Sequence, residues 1–270
     1  METGGNKRIL VVGGGSWATA LIKILSQGQT SLSWWMRDES AIEHLNAHSH
    51  HPKYLQSAEF NTSKINISSH LETLISECEI LIIAVPSAFV HKTFESIPNA
   101  LLKNKIIFSA LKGMIPEMKA IPARYFHKTF DIPYENIGII CGPCHAEEVA
   151  MERLSYLTIA CSDLSKAQEM ANILACRYIK TSVSDDLFGT EFSAILKNVY
   201  ALATGISAGL GYGDNFQAVL ISNSIREIEI FIDALPPIHR DTKTSAYLGD
   251  LLVTAYSKFS RNRTFGFMIG

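Results

Sequence analysis

Arg8-Ile9-Leu10-Val11-Val12-Gly13-Gly14-Gly15-Ser16-Trp17-Ala18 decides the fold. Ile9 to Val12 is apolar and β-branched, which predicts a buried strand. Three glycines follow, and Thr19 to Leu25 then carries an apolar pattern with helical spacing. Strand, glycine turn, helix is the order required of a dinucleotide-binding unit. Gly13 allows the tight turn. Gly15 has no Cβ, so a pyrophosphate can come close to the backbone. The free N–H groups of the helix start, beginning at Ser16 and Trp17, then face the phosphates with the helix dipole behind them. Ala18 occupies the third position, where only a small residue fits helix against strand. Taken alone, the same run also reads as a plain glycine-rich turn.

The rest of the chain decides between these. At 270 residues it is long enough for two domains and a large core. A net charge of −2 gives no basic surface for nucleic acid. No apolar run approaches the ~18 residues of a membrane span, so no membrane insertion is expected. Met1 to Lys7 is polar, without a signal-peptide core. Five cysteines in such a chain read as thiols, not a disulfide frame. The expected location is cytoplasmic.

Strands are predicted at Ser31–Met36, Asn66–Ser68, Glu79–Val85, Lys105–Ala110, Asn136–Ile140, Ser155–Ala160 and Tyr178–Ser182. Helical stretches alternate with them, including Ser40–Ala47, Pro116–Phe130 and Leu164–Cys176. This alternation implies crossover connections and a Rossmann-type, mostly parallel sheet covered on both faces. Ligands of such sheets lie at the C-terminal ends of strands. The Gly13 turn, Arg37, Ser87, Lys112 and Gly142 all fall at those ends and are expected to converge on one crevice. Arg37-Asp38 ends the second strand, where the adenosine ribose is met. An arginine there accommodates a 2′-phosphate and an acidic residue favours the free ribose. Arg37 comes first, so NADP is favoured, and Asp38 keeps NAD open. His48, His50 and His51 lie in a polar loop with no carboxylate or thiol in a ligand pattern, so no metal is expected.

Cys141-Gly142-Pro143-Cys144-His145 matches two redox patterns, thioredoxin-like Cys-x-x-Cys and haem-attaching Cys-x-x-Cys-His. Its position after a dinucleotide-like half favours a ligand-approaching turn instead. Cysteines at a helix start could have lowered pKa and form a disulfide, which leaves a redox pair as a further expectation.

From Phe188 the period becomes helical and strands disappear, placing a boundary near Asp185-Asp186. Residues 1–185 are expected to bind dinucleotide and 186–270 to form an all-α substrate domain. In Phe192–Gly213, Lys197 is the sole charge before Gly213, flanked by Ser193, Ala194, Tyr200, Ala201 and Thr204. A small, uncharged face leaves room for a ligand, and partial burial would lower the lysine pKa. Such a lysine can give a proton to a carbonyl oxygen; the alternative is an amine snorkelling over core. Ser260-Arg261-Asn262-Arg263 suits a phosphate, since arginine offers a planar fork and Ser and Asn add neutral donors.

These stretches together resemble the bacterial NAD(P)-dependent glycerol-3-phosphate dehydrogenases. The resemblance rests on GGGSWATAL (13–21), PKYL (52–55), AVPS (84–87), LKG (111–113), Gly142-Pro143, LKNVYALATGISAGLGYG (196–213), GDL (249–251) and SRNR (260–263). It implies Lys197 as catalytic proton donor and acceptor. It implies Lys112, Gly142, Cys144, Asp250, Ser260, Arg261 and Asn262 around a phosphotriose. Gly13, Gly15, Ser16, Trp17, Arg37, Tyr54, Lys112, Ala146 and Arg261 would hold NAD(P). The implied reaction is reversible reduction of dihydroxyacetone phosphate to sn-glycerol 3-phosphate, for glycerophospholipid synthesis, with a homodimer as a further expectation. Ala18 stands where the family usually has glycine, and Cys144 where it has a substrate-contacting serine. The family continues some tens of residues past SRNR, so a truncated helical domain is expected. Competing readings are another β-hydroxyacid or ketoacid reductase of this architecture, a nucleotide sensor without turnover, and a thiol–disulfide exchanger.

Overall fold

The computed structural model describes residues 7–28, 31–236, 238 and 240–270. Most of the polar N-terminal segment read above, Met1–Asn6, lies outside the described residues. Eight strands form one sheet: β1 (Arg8–Val12), β2 (Ser31–Trp35), β3 (Ile65–Ser68), β4 (Ile80–Ile83), β5 (Ile106–Ser109), β6 (Ile137–Cys141), β7 (Ser155–Cys161) and β8 (Ile179–Ser184). Their spatial order is β3-β2-β1-β4-β5-β6-β7-β8. The chain winds one way from β1 to β3 and the other way from β4 onward. The reversal lies between β1 and β4, where Val12 is level with Ile83. A crevice opens beyond the strand ends at such a reversal.

Alternation along the strands fills two layers. Leu10, Val12, Leu81, Ile83, Ile107 and Ile139 point to one face. Ile9, Val11, Ile80, Ile82, Phe108 and Ile140 point to the other. Both sets are buried, as expected of a sheet covered on both sides. The first layer continues into the helical region through Ala194, Ile221, Ile228 and Leu251.

The sheet is mostly parallel, as expected, with one antiparallel pair, and one helix is corrected. β7 runs antiparallel to β6. The connection between them holds only the five-residue helix Ala146–Ala150, too little to cover a sheet face and return parallel. The predicted helix Pro116–Phe130 is a 3₁₀ turn at Pro116–Met118 followed by a helix at Pro122–Phe130. Lys119 between them has φ +45, and Ile121, before a proline, is extended.

β8 ends at Ser184, and the 23-residue helix Leu187–Gly209 begins with Asp186 as its N-cap. The buried Asp186 carboxylate accepts from Gly189 N at 2.9 Å, from Arg240 Nε at 2.6 Å and from the Tyr247 hydroxyl at 2.6 Å. Tyr247 belongs to a π-helical turn, Ser245–Gly249, that leads directly into helix Asp250–Tyr256. Helix Arg261–Ile269 crosses the long helix backbone to backbone. A Cβ on Gly205 would lie 2.9 Å from Gly266 Cα, and one on Gly266 would lie 3.1 Å from Gly205 Cα. Among the described residues no helix is long and apolar enough to cross a membrane.

Candidate active site

The glycine turn is built as its residues require. Gly13 has φ +143, and a Cβ there would meet the Ala84 carbonyl oxygen at 2.7 Å. The turn is tied down by Trp34 Nε1 donating to Gly13 O at 2.7 Å. Gly15 is the N-cap of helix Ser16–Leu25, with no side-chain cap. A Cβ on Gly15 would meet nothing within 4 Å. The helix therefore starts with uncapped N–H groups beside open space, which is the chemistry of an anion cradle. Trp17 Nε1 is buried without a hydrogen-bond partner. These residues fit a dinucleotide.

Two cavities extend from this turn. The first, about 290 Å³, is lined by Gly14, Gly15, Arg37, Lys53, Tyr54 and Phe89 among others. Asp38 is committed elsewhere: its carboxylate caps helix Glu39–His48 through Ala41 N and also receives Ser40 and Lys53. These hydrogen bonds, Ser40 foremost, hold it below the usual carboxylate range. Among the described residues the exposed Arg37 guanidinium makes no ion pair or hydrogen bond. His51 is buried, and its Nδ1 accepts from Lys53 N and Tyr54 N at 3.1 and 3.2 Å, shaping this wall. The rings of His44, His48 and His50 pack together. Among the described residues no group of three or more His, Cys, Asp or Glu side chains is arranged to hold a metal ion.

The second cavity, about 370 Å³, is lined by Gly15, Ser16, Trp17, Ser87, Lys112, Cys144, His145, Ala146 and Arg261 among others. Lys112 Nζ stands 5.8 Å from the Trp17 ring centroid. Beyond it a third cavity, about 490 Å³, brings together Lys112, His145, Lys197, Asn198, Thr254, Ser260, Arg261 and Asn262. Lys112, His145, Phe259 and Arg261 belong to both, so the two spaces meet there.

Lys197 is buried, 1% exposed, and ion-paired with Asp250, also 1% exposed. A snorkelling lysine is thereby excluded. Burial pushes Lys197 below the ordinary lysine range, against the pull of Asp250 and with help from Lys112. Burial also acts to lower Lys112, but the Asp250 carboxylate reverses it and holds that amine protonated. Beyond the ion pair, the Asp250 oxygens have no hydrogen-bond donor. Thr254 Oγ1 donates to the Asp250 carbonyl at 2.6 Å.

The SRNR cluster starts helix Arg261–Ile269. Ser260 is buried, and its hydroxyl is the N-cap, accepting from Arg263 N at 3.3 Å. Asn262 Nδ2 donates to Asn198 Oδ1 at 2.9 Å, and Asn198 Nδ2 donates to Lys112 O at 2.8 Å. Asn198 thus links the lysine loop to the phosphate-suited helix start.

Gly142 has φ +115, and a Cβ there would meet Tyr156 O at 2.8 Å. It shapes the turn after β6 and lines none of these three cavities. The redox expectation for Cys141 and Cys144 is corrected: both are free, both are buried, and burial pushes each thiol up, to about 12. A thiolate at low pKa needs exposure and a net cationic setting, and burial outweighs Lys112 here. Sequence reasoning missed Asn198, Thr254 and His145. Asn198 follows Lys197 directly, which was its only signal, and His145 was hidden inside the Cys-x-x-Cys-His pattern.

A family model described as NAD-dependent glycerol-3-phosphate dehydrogenase N-terminus matches residues 8–167, and its C-terminus counterpart matches 186–270. The chain is 31% identical over 264 residues to a glycerol-3-phosphate dehydrogenase (NAD(P)+) of Macrococcus caseolyticus, covering 97% of this chain and 79% of that protein. It is 30% identical over 270 residues to the same enzyme of Limosilactobacillus reuteri, with 98% and 79% covered. The crystal structure of glycerol-3-phosphate dehydrogenase from Coxiella burnetii superposes with a TM-score of 0.84 at 25% identity, covering 98% of this chain and 80% of that one.

Proposed function

The chain belongs to the NAD-dependent glycerol-3-phosphate dehydrogenase family, and from that premise we infer that it reduces dihydroxyacetone phosphate reversibly to sn-glycerol 3-phosphate with Lys197 as the proton donor. The supporting observation is Lys197, held by the buried Asp250 behind it, at the wall of the cavity that Arg261 and Asn262 also line. NAD(P)H, when bound, supplies the hydride.

Reduction develops negative charge on the C2 oxygen. An ammonium in a low-dielectric site stabilises that charge and protonates it. Lys197 needs a depressed pKa because it must give the proton in one direction and take it back in the other. Asp250 fixes the Lys197 amine in place and keeps it protonated often enough to act. Lys112, held protonated by Asp250, stays a cation and orients the carbonyl. Arg261, Asn262 and the start of their helix take the phosphate, so binding at a non-reacting group aligns the reacting one. Ser260 supports this as the cap of that helix. A ketoacid reductase without a phosphate would have no use for the cluster.

Gly13, Gly15, Ser16, Trp17 and Ala146 form the pyrophosphate and nicotinamide side of the dinucleotide site, and Arg37 and Tyr54 the adenosine side. With Asp38 occupied by its helix, the unpaired Arg37 supports a preference for NADP. Residues 1–185 carry the cofactor and 186–270 the substrate, in a cytoplasmic enzyme whose product serves glycerophospholipid synthesis. Homodimerisation is proposed through the helical region, where Val199, Phe216 and Val219 stand exposed; sedimentation equilibrium showing a monomer would refuse it.

The test follows oxidation of NADPH and NADH with dihydroxyacetone phosphate in wild type and Lys197→Ala. Wild type is expected to turn over, faster with NADPH. Lys197→Ala is expected to lose roughly 10²–10⁴ in kcat while still binding NADPH. A Lys197→Ala protein with wild-type kcat refutes the role.

A further inference from the structure

His145 stands where the cofactor-side and substrate-side cavities join, and nothing assigned so far uses it. The residue lines both spaces, and its ring lies 5.7 Å from the Phe259 ring, centroid to centroid. Its Nε2 is buried without a hydrogen-bond partner. Among the described residues neither ring nitrogen is bonded to the chain. A buried imidazole nitrogen left open is unfavourable, so a ligand group is the natural partner.

The surroundings narrow that group. Lys112 and Lys197 line the same cavity as His145 and act on the ring electrostatically, as do Glu147 and Glu148 on the short helix it caps. Burial comes first and the two amines second in holding the ring neutral. A neutral imidazole has one N–H to give and one lone pair to receive with. That suits a hydroxyl better than a dianion, which the cations are better placed to take.

Dihydroxyacetone phosphate has three polar groups. Arg261 and Asn262 answer the phosphate, and Lys197 and Lys112 answer the carbonyl. The C1 hydroxyl remains. It has a proton to give and lone pairs that need a donor. The Asp250 carboxylate is buried against Lys197 and can only accept. A donor for the hydroxyl must come from elsewhere, and with Lys112 assigned to the carbonyl and Arg261 to the phosphate, His145 is the polar side chain common to both cavities that remains.

We propose that His145 is a specificity-determining residue that hydrogen-bonds the C1 hydroxyl of the substrate and so selects hydroxymethyl ketone phosphates over methyl ketone phosphates. This rests on the reading of the site as a dihydroxyacetone phosphate reductase.

Hydroxyacetone phosphate, which carries a methyl group in place of the hydroxymethyl, is the probe. Wild type is expected to favour dihydroxyacetone phosphate in kcat/KM by roughly tenfold to a hundredfold, the weight of one buried hydrogen bond left unmade. His145→Phe keeps a flat ring against Phe259 and removes both nitrogens. It is expected to lose that factor on dihydroxyacetone phosphate only, bringing the two substrates level. His145→Gln keeps a donor and is expected to restore part of the preference. The dissociation constant of NADPH, read by fluorescence, should not move in either variant. Equal losses on both substrates, or weaker NADPH binding in proportion, would mean a structural or cofactor role and overturn the assignment. A wild type indifferent to the hydroxyl overturns it without any variant, so a misfolded His145→Phe does not shield it. Absence of turnover with either ketone would instead sink the reductase reading, and the His145 assignment with it.

Discussion

Gly205→Ala puts a methyl group into a crossing that has no room for one. The added carbon would sit 2.9 Å from Gly266 Cα, 2.9 Å from Phe267 N and closer still to the Arg263 carbonyl oxygen. These are backbone atoms and cannot rotate away. Carbon atoms prefer separations of ~3.5–4.0 Å, so the Gly266 contact alone, at 2.9 Å, means the helices must part by at least about 0.6–1.1 Å, and the closer Arg263 oxygen asks for more. Overpacking of this sort costs about 1–3 kcal/mol, while alanine for glycine inside a helix returns about 1 kcal/mol. The net loss of stability is therefore small, about 0–2 kcal/mol, or a few degrees in Tm for a chain of this size. Activity should fall much further. The displaced helix starts with Arg261 and Asn262, and its cap Ser260 moves with it. A misplacement near 1 Å can cost about 10²-fold, here mainly as a raised KM for dihydroxyacetone phosphate. Steady-state kinetics alongside a thermal melt separate the two effects. Wild-type kcat/KM in a folded Gly205→Ala protein would refute the argument that this crossing sets the phosphate site.

Gly15→Ala should behave in the opposite way: with open space around it and φ −93, it should leave Tm unchanged and abolish tight NADPH binding, and unaltered binding would count against the cradle. Arg37→Ser removes one charge-assisted contact worth about 1.5–3 kcal/mol, so KM for NADPH should rise roughly tenfold to 150-fold with NADH unaffected; parallel changes for both cofactors would refute the 2′-phosphate role. Glu191 is buried on the long helix, accepts from Ala123 N at 3.2 Å, and burial raises it from an ordinary 4.5 to about 8. The folded state then holds a proton that the unfolded chain releases, so this group's contribution is full below pH 4.5 and is lost as pH rises to about 8. Glu191→Gln should match wild type in urea stability below that window and exceed it above, and a pH-independent difference would be the failing result.

Much of this was legible in the sequence because burial leaves a residue-level trace. The β1 run, the glycine turn and the remaining strands are short apolar or alternating stretches between helices, and all eight strands form. Lys197 stood out because a charge on a small, apolar face has few bland explanations. Direction and pairing leave no such trace. The pattern of Ser155–Cys161 is the same for either orientation, and only the short connection before it makes β7 antiparallel. Lys197 and Asp250 are 53 positions apart, so their ion pair is a product of the fold. The Cys141–His145 stretch misled because a spacing rule describes thiols in the open, and these are closed off. The proline at 122 starts the shorter helix because it holds the preceding Ile121 extended.

Asp186 stands at the joint between the two halves of the molecule, and three donors meet on its one carboxylate. All three belong to the helical half: Gly189 on the long helix itself, Arg240 and Tyr247 on the segments that return to its start. The carboxylate therefore clamps the later part of the chain onto the first turn of the long helix, and stripping that buried charge of a partner would cost about 3–5 kcal/mol. Loss of Arg240 or Tyr247 would loosen the helical half from within while leaving the sheet whole.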